Sequence, residues 1–388
     1  MTDTDHDAVV VGGGPVGCAA ALALAAADVD TCVLEAHEPE ERAPDSRTLA
    51  LSWNSRLILE RLNSWTEDLR ATAINTVHVS DRGRFGRATL EAVDLDLPAL
   101  GYVLRYSRLF DSLSQQVQAG GIRYRTGFRV DDIRPGSPTC EVTGSTSEGS
   151  VKLRARLVII ADGGMALTRL ATKHVREHDY CQRAVVGLTR TDRAHGNRAY
   201  ERFTRSGPIA LLPCEEEFAF VWTCTPDHAQ ALASLDDDAF LSSLQEAFGD
   251  RAGRFVSVRQ RSAFPLALRM ADRPVGEGIV LVGNASQTLH PIAGQGFNLG
   301  LRDAWDLGDL TRSVPREAIG SASVTSSFHG RRRADRAGSI IATHGLEKVF
   351  SSDFLPLVAG RGFGLSVLTA FPPLRRTLMR QMIFGAGS

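Results

Sequence analysis

An α/β fold of two domains with a helical C-terminus is predicted by three features of this 388-residue chain. A buried, valine-rich strand runs into a glycine-rich turn and an alanine-rich helix at residues 6–27. Two later apolar strands, near 157–160 and 279–282, also end on glycine with a short polar side chain. Between Cys181 and Arg269 the pattern changes to alternating segments of the kind an antiparallel sheet requires.

The first element, His6–Val11, reads as a parallel strand buried on both faces. Gly12, Gly14 and Gly17 then sit in the spacing GxGxxG, and Pro15 and Val16 open the helix CAAALALAAA. In such a turn the first glycine lets the chain reverse and the second lets the backbone approach a pyrophosphate. The third lets helix and strand pack closely. A phosphate there meets the N-H groups of a helix N-terminus. The next strand, Thr31–Leu34, ends in Glu35, 21 residues after Gly14. A carboxylate at that place accepts hydrogen bonds from an adenosine ribose and repels a 2′-phosphate, which indicates FAD or NAD rather than NADP. Arg47, in DSRTLALS, could lie along the dinucleotide pyrophosphate or the flavin edge, or stand as an ordinary surface arginine.

Composition narrows the function classes. With 44 basic and 45 acidic side chains and 43% hydrophobic residues, the chain is neither a coiled coil, a disordered tail nor a disulfide miniprotein. The net charge of -1 gives no global attraction to nucleic acid. Six cysteines without a CxxC pair, and no leader pattern before the first strand, read as reduced thiols in a cytoplasmic protein. His174 and His178 could share a helix face but have no third ligand nearby, so no metal site is expected. Ala8–Ala27 carries no charge, yet Gly12, Gly13, Gly14, Pro15 and Gly17 break it, which suits a turn and not a membrane span.

The later motifs add a resemblance. Asp162-Gly163 ends one strand, and Gly283-Asn284 ends another that continues as ASQTLHPIAGQGFNLGLRD. Taken with the glycine turn and Glu35, these resemble the three motifs of the FAD-dependent aromatic hydroxylases of the p-hydroxybenzoate hydroxylase fold. They span residues 12–303 in order. The wording around Asn284, Gln287 and His290 is similar to the branch that hydroxylates ubiquinone precursors, such as polyprenylated methoxyphenols.

The resemblance implies a monooxygenase that takes electrons from NAD(P)H, adds O2 at flavin C4a and passes one oxygen to a phenol ring. It also implies FAD contacts at the residues already named and at Val130, Asp162, Gly163, Gly283, Asn284, Gly296, Phe297 and Asn298. The flavin loop Pro291, Gly294, Gln295 and Gly296 would line the reacting edge, with His290 as a candidate base. Two departures from the family pattern stand out. Ala166 replaces a usual serine while Arg169 is kept, and Tyr106 stands where relatives often carry Arg, Gln or Asn. The WxWxIP motif of flavin halogenases is absent.

These readings divide the chain into a discontinuous FAD-binding domain at 1–72, 101–180 and 270–345, a substrate domain at 73–100 and 181–269, and a helical tail at 346–388. Phe218, Phe220 and Trp222 alternate on one strand face, as a prenyl-ring pocket or as plain sheet core. After Asp353 there is no acidic residue, while Arg361, Arg375, Arg376 and Arg380 accompany apolar segments. Such a tail fits peripheral contact with an inner-membrane leaflet, core packing, or a partner in a ubiquinone-biosynthesis complex.

Overall fold

The structure is a computed structural model that describes residues 5–41, 45–83, 86–164, 175–204, 207–271, 276–289, 294–351 and 355–385. His6–Val11 lies at the centre of a seven-stranded sheet. On one side it pairs in parallel with Thr31–Leu34, which pairs with Arg123–Arg125. On the other it pairs in parallel with the end of Gly149–Ile160, whose last three residues also pair with Ile279–Leu281. The first half of Gly149–Ile160 turns back into the antiparallel strands Cys140–Thr146 and Arg129–Arg134.

Both faces of the central strand are covered, which is why its sequence is apolar without alternation. Ala8 and Val10 face helices Pro15–Ala25 and Gln295–Arg312, while Val9 and Val11 face the antiparallel extension with Phe128 and Val142. Small side chains let those two helices approach closely. A Cβ at Gly308 would lie 2.6 Å from the carbonyl oxygen of Ala23.

The second sheet has eight strands, in the order Gln287–Thr288, Phe255–Ala271, Val175–Thr191, Glu217–Cys224, Gly207–Cys214, Arg198–Thr204, Thr76–Asp81 and Arg87–Glu91. All neighbours are antiparallel except Arg198–Thr204 with Thr76–Asp81. The alternating segments are therefore strands, and DDAFLSSLQEAF is a helix capped by the Asp236 side chain, which accepts from Ala239 N at 2.8 Å. His178 lies on a strand, not on the helix considered from its spacing, because the segment pairs along its whole length with Phe255–Ala271. His174 lies outside the described residues.

Phe218, Phe220 and Trp222 resolve as sheet core. They are at most 2% exposed and pack on Phe240 and Phe248 from the covering helices, so the rings leave no room for a ligand. The opposite sheet face, through Leu188, Ala199 and Ala219, meets Ile74 and Val103 of a small sheet formed by Thr48–Ser52, Thr72–Ile74 and Gly101–Arg105. That small sheet is the wedge between the two larger ones.

Three helices end the chain, Ala322–Ser351, Leu355–Ala370 and Pro372–Phe384. The first runs unbroken across position 346, since no proline interrupts it. The last buries Met379 and Ile383 against Leu90 and Leu100, so the tail packs on the body of the protein through that face.

Candidate functional site

The carboxyl ends of three parallel strands lie side by side, since Val11 pairs with Ile160 and Ile160 with Leu281. Each runs into one of the glycine motifs. At Gly12, φ is +106°, and a Cβ would lie 2.5 Å from the carbonyl oxygen of Ala161, so the first turn is pressed against the Asp162-Gly163 turn. A Cβ at Gly17 would stand 1.9 Å from the carbonyl oxygen of Gly12, and only hydrogen fits there. These two glycines are required by the protein itself.

Gly14 and Gly296 are different. A Cβ on Gly14 would meet nothing nearer than the Tyr106 hydroxyl at 3.8 Å, and one on Gly296 would meet nothing within 4 Å. Neither has a positive φ among the backbone exceptions. Packing does not demand glycine at these places, and the space beside their backbone is open to a ligand. This is the fit expected for a dinucleotide, and it separates the roles of Gly12, Gly14 and Gly17 that the spacing suggested.

Glu35 closes the far end of the cradle. Its Oε2 accepts from Gly13 N at 2.8 Å, and its Oε1 accepts from His37 N at 3.1 Å. The carboxylate is thereby fixed beside the glycine turn, in position to accept from a ribose. Val130, 9% exposed, packs beneath it with Val9, Val11 and Leu34. Pro15 opens the helix, and Cys18 N makes the first intrahelical bond, to Gly14 O at 2.9 Å. The preceding N-H groups of Val16 and Gly17 have no partner within the helix.

Arg47 stands at the rim. Its Nε donates to both carboxylate oxygens of Asp45, at 2.9 and 3.0 Å, and its guanidinium lies 5.0 Å from the centre of the Tyr106 ring. Tyr106 N donates to Arg47 O at 2.9 Å. Tyr106 thus joins Arg47 and Gly14 in one corner of the cradle, although its residue type alone gave no reason to nominate it.

The profile of the family described as FAD binding domain matches residues 5–336. The chain is 30% identical to the 3-demethoxyubiquinol 3-hydroxylase of Escherichia coli, covering 98% of this chain and 99% of that one. The family is settled by these two matches. The chain belongs to the FAD-dependent ubiquinone-biosynthesis hydroxylases. Ubiquinone hydroxylase UbiL of Rhodospirillum rubrum is 29% identical over 97% of this chain and 89% of that protein. Among solved structures, p-nitrophenol 4-monooxygenase PnpA of Pseudomonas putida superimposes with a TM-score of 0.78 at 19% identity, covering both chains fully, which shows the shared fold.

In this hydroxylase, as in the family, FAD is the cofactor, and the remaining motifs gather around its cradle. Gly283, with φ +60°, faces Val16 at the start of the first helix, and the side chain of Asn284 next to it is exposed. Asp162 is half-buried and accepts from Gly164 N at 3.3 Å, and Gly163 turns at φ +73°. Gly294, also at φ +60°, caps helix Gln295–Arg312, whose first N-H groups belong to Gln295, Gly296 and Phe297. His290, Pro291, Ala166 and Arg169 lie outside the described residues.

Asn298 has a role that its motif did not reveal. Its side chain is 2% exposed and makes four hydrogen bonds to protein. Oδ1 accepts from Ser52 N at 2.8 Å and Ser55 Oγ at 2.6 Å. Nδ2 donates to Ala50 O at 3.0 Å and Gly294 O at 2.8 Å. With that capacity filled, the side chain staples the flavin loop to the small sheet instead of reaching a ligand.

A buried charge network holds the third turn from behind. Asp303 Oδ2 accepts from Gly283 N at 3.1 Å, and its Oδ1 accepts from Arg332 Nε at 2.6 Å. Arg332 also donates to Asp306 and Asp335, and Arg302 donates to Asp335 at 2.7 Å. Burial alone would depress Arg332, but the three carboxylates outweigh it and raise its pKa. In sequence the only sign of this network is charge on helix positions flanked by apolar residues.

A cavity of about 120 Å³ begins at Ala50, Ser52, Gln295 and Asn298. It continues between the hairpin and the last helix, past Ile74, Val77, Leu90, Met379, Met382 and Ile383. That the tail closes it has no local signature, because tertiary packing brings together positions about 300 residues apart.

Proposed function

We propose that this chain is a monooxygenase that hydroxylates a polyprenylated phenol of ubiquinone biosynthesis, of the methoxyphenol type, using O2 and electrons from NAD(P)H. The observation that carries the reading is a cradle fitted to a dinucleotide joined to an apolar cavity at one loop, Gly294–Asn298. FAD supplies hydride acceptance and oxygen activation when bound.

The chain's own residues bind and orient. Gly14, Pro15, Val16, Gly17 and Arg47 would hold the diphosphate, Glu35 the ribose, and Asn284 the ribityl chain. The N-H groups at Gln295, Gly296 and Phe297 begin a helix, so their positive end favours the negative charge that accompanies reduction. The apolar cavity that adjoins the loop would receive the hydrocarbon part of such a substrate. The proposal keeps His290 as the acceptor of the phenol proton, which would make the ring more nucleophilic. The intact glycines at 12, 14, 17, 294 and 296, together with Glu35, weigh against a scaffold that no longer turns over.

A sibling step of the same pathway is the second reading, supported by the name of the E. coli relative, a 3-demethoxyubiquinol 3-hydroxylase. Purified holoprotein given a prenylated 6-methoxyphenol and a demethoxyubiquinol analogue in parallel discriminates them. The first reading predicts a kcat/KM at least tenfold higher for the methoxyphenol, and the reverse order overturns it.

Peripheral contact with an anionic leaflet belongs to the same proposal. No helix among the described residues is long and apolar enough to cross a membrane. Phe363 and Leu374 of the last two helices and Phe371 between them are exposed, as is Val93 on the turn beside them. Arg376 and Arg380 are exposed nearby, whereas Arg375 is held by Asp94 at 2.8 Å. The competing occupant of that face is a partner in a biosynthetic complex. Flotation with anionic liposomes should be lost in Phe371→Ser with Leu374→Ser, and unchanged flotation counts against the membrane.

A further inference from the structure

We propose that the cavity closed by the C-terminal helix Pro372–Phe384 is the binding site for the apolar tail of the substrate, with the reacting ring held outside it at the flavin loop. This rests on the reading above that the substrate carries such a tail. Apart from Ser52, Gln295 and Asn298, every side chain of the lining is hydrocarbon or thioether, with Ile74, Val77, Leu90, Met379, Met382 and Ile383 among them.

The polar groups near the mouth are already engaged. Asn298 has filled its four hydrogen bonds, and Ser52 Oγ lies 3.2 Å from Ser55 Oγ and accepts from Ser55 N. A phenol hydroxyl moved into this space would lose water and gain no partner, which disfavours the ring and favours hydrocarbon.

The site is also matched to a flexible chain. Two of its lining residues, Met379 and Met382, are methionines, whose unbranched thioethers adapt to an occupant of variable shape. The other apolar candidate, the cluster of Phe218, Phe220 and Trp222, is filled by its own covering helices. Occupancy is coupled to the flavin loop, because Gln295 Nε2, on the first residue of the loop helix, donates to Met382 O at 3.3 Å.

The test reads binding without turnover. FAD-loaded protein is titrated calorimetrically with prenyl alcohols of one, two and three isoprene units. Wild type should tighten by about tenfold or more from the first to the second, as each added methylene leaves water. Met382→Trp, which fills the cavity from the tail side, should abolish that increment while the flavin content of the purified protein stays at the wild-type level. Val77→Phe fills it from the opposite wall and serves if the first variant fails to fold. No dependence on chain length in wild type, or full dependence retained in a folded filling variant, overturns the assignment. Tail binding without hydroxylation of any phenol would instead overturn the proposed function and leave this site standing. Hydroxylation of the prenylated phenol without prenyl-alcohol binding would overturn this site and leave the proposed function standing.

Discussion

Removing the Asn298 side chain should separate the fold of this protein from the organisation of its flavin loop. In Asn298→Ala, two acceptor bonds and two donor bonds disappear, leaving Ser52 N-H, the Ser55 hydroxyl and the carbonyls of Ala50 and Gly294 without that partner. Each net intramolecular bond contributes about 1 kcal/mol, and a buried polar group left unmet costs about 1–3 kcal/mol. A water entering the vacated space restores part of this, so the expected loss of stability is about 2–4 kcal/mol. The larger consequence is local, because the bond to Gly294 fixes a left-handed residue at the start of the loop helix. FAD should bind at least tenfold more weakly, while Asn298→Asp, which keeps both acceptor bonds, should fall between. Denaturant unfolding of the apoprotein and fluorescence titration with FAD measure the two effects. An Asn298→Ala variant with apo stability within about 0.5 kcal/mol and FAD affinity within twofold of wild type would refute the staple.

Other expectations follow from the same geometry. Gly14→Ala and Gly296→Ala should leave the apoprotein's melting midpoint unchanged yet weaken FAD binding at least tenfold, whereas Gly17→Ala, whose Cβ would lie 1.9 Å from Gly12 O, should fail to give folded protein. Asp303→Asn leaves Arg332 and Arg336 short of a carboxylate and should cost about 3–5 kcal/mol, seen as a lower unfolding midpoint. Burial pushes the Glu201 carboxyl up from 4.5 to about 7. Its folded pKa exceeds the unfolded one, so its contribution is intact below about pH 4.5 and is lost as pH rises toward 7. Part of its surface remains accessible, and Glu201→Gln should stabilise the protein by about 1–3 kcal/mol at pH 8 and by little at pH 4.5. Equal effects at both pH values contradict that assignment.

The cradle was legible because each of its parts is local. A turn needing Gly12, Gly14 and Gly17, a strand ending at Glu35, and strands ending at Asp162 and Gly283 all leave short-range marks in residue type and spacing. The alternating strands of the second sheet were legible for the same reason, through a period of two. What the sequence did not disclose depends on long-range packing. Asn298 looks identical whether it contacts a ligand or staples a loop, and only its partners Ser52 and Ser55, over 240 positions away, decide. The ring-bearing strand Phe218–Trp222 carries the same alternation whether it lines a pocket or a core, and the helix through Phe240 and Phe248 decides that. Tyr106 becomes a cradle residue through Arg47, and the tail becomes a pocket wall through Leu90. Neither juxtaposition has a local signature.

The central claim is that this cradle and this cavity together insert one oxygen atom from O2 into a prenylated phenol. The most direct measurement is mass spectrometry of the product after FAD-loaded protein, NAD(P)H and a prenylated methoxyphenol react under ¹⁸O2. The account predicts a flavin-dependent product carrying a single labelled oxygen. A flavin-loaded protein that consumes reductant in the presence of the phenol but leaves it unlabelled contradicts it.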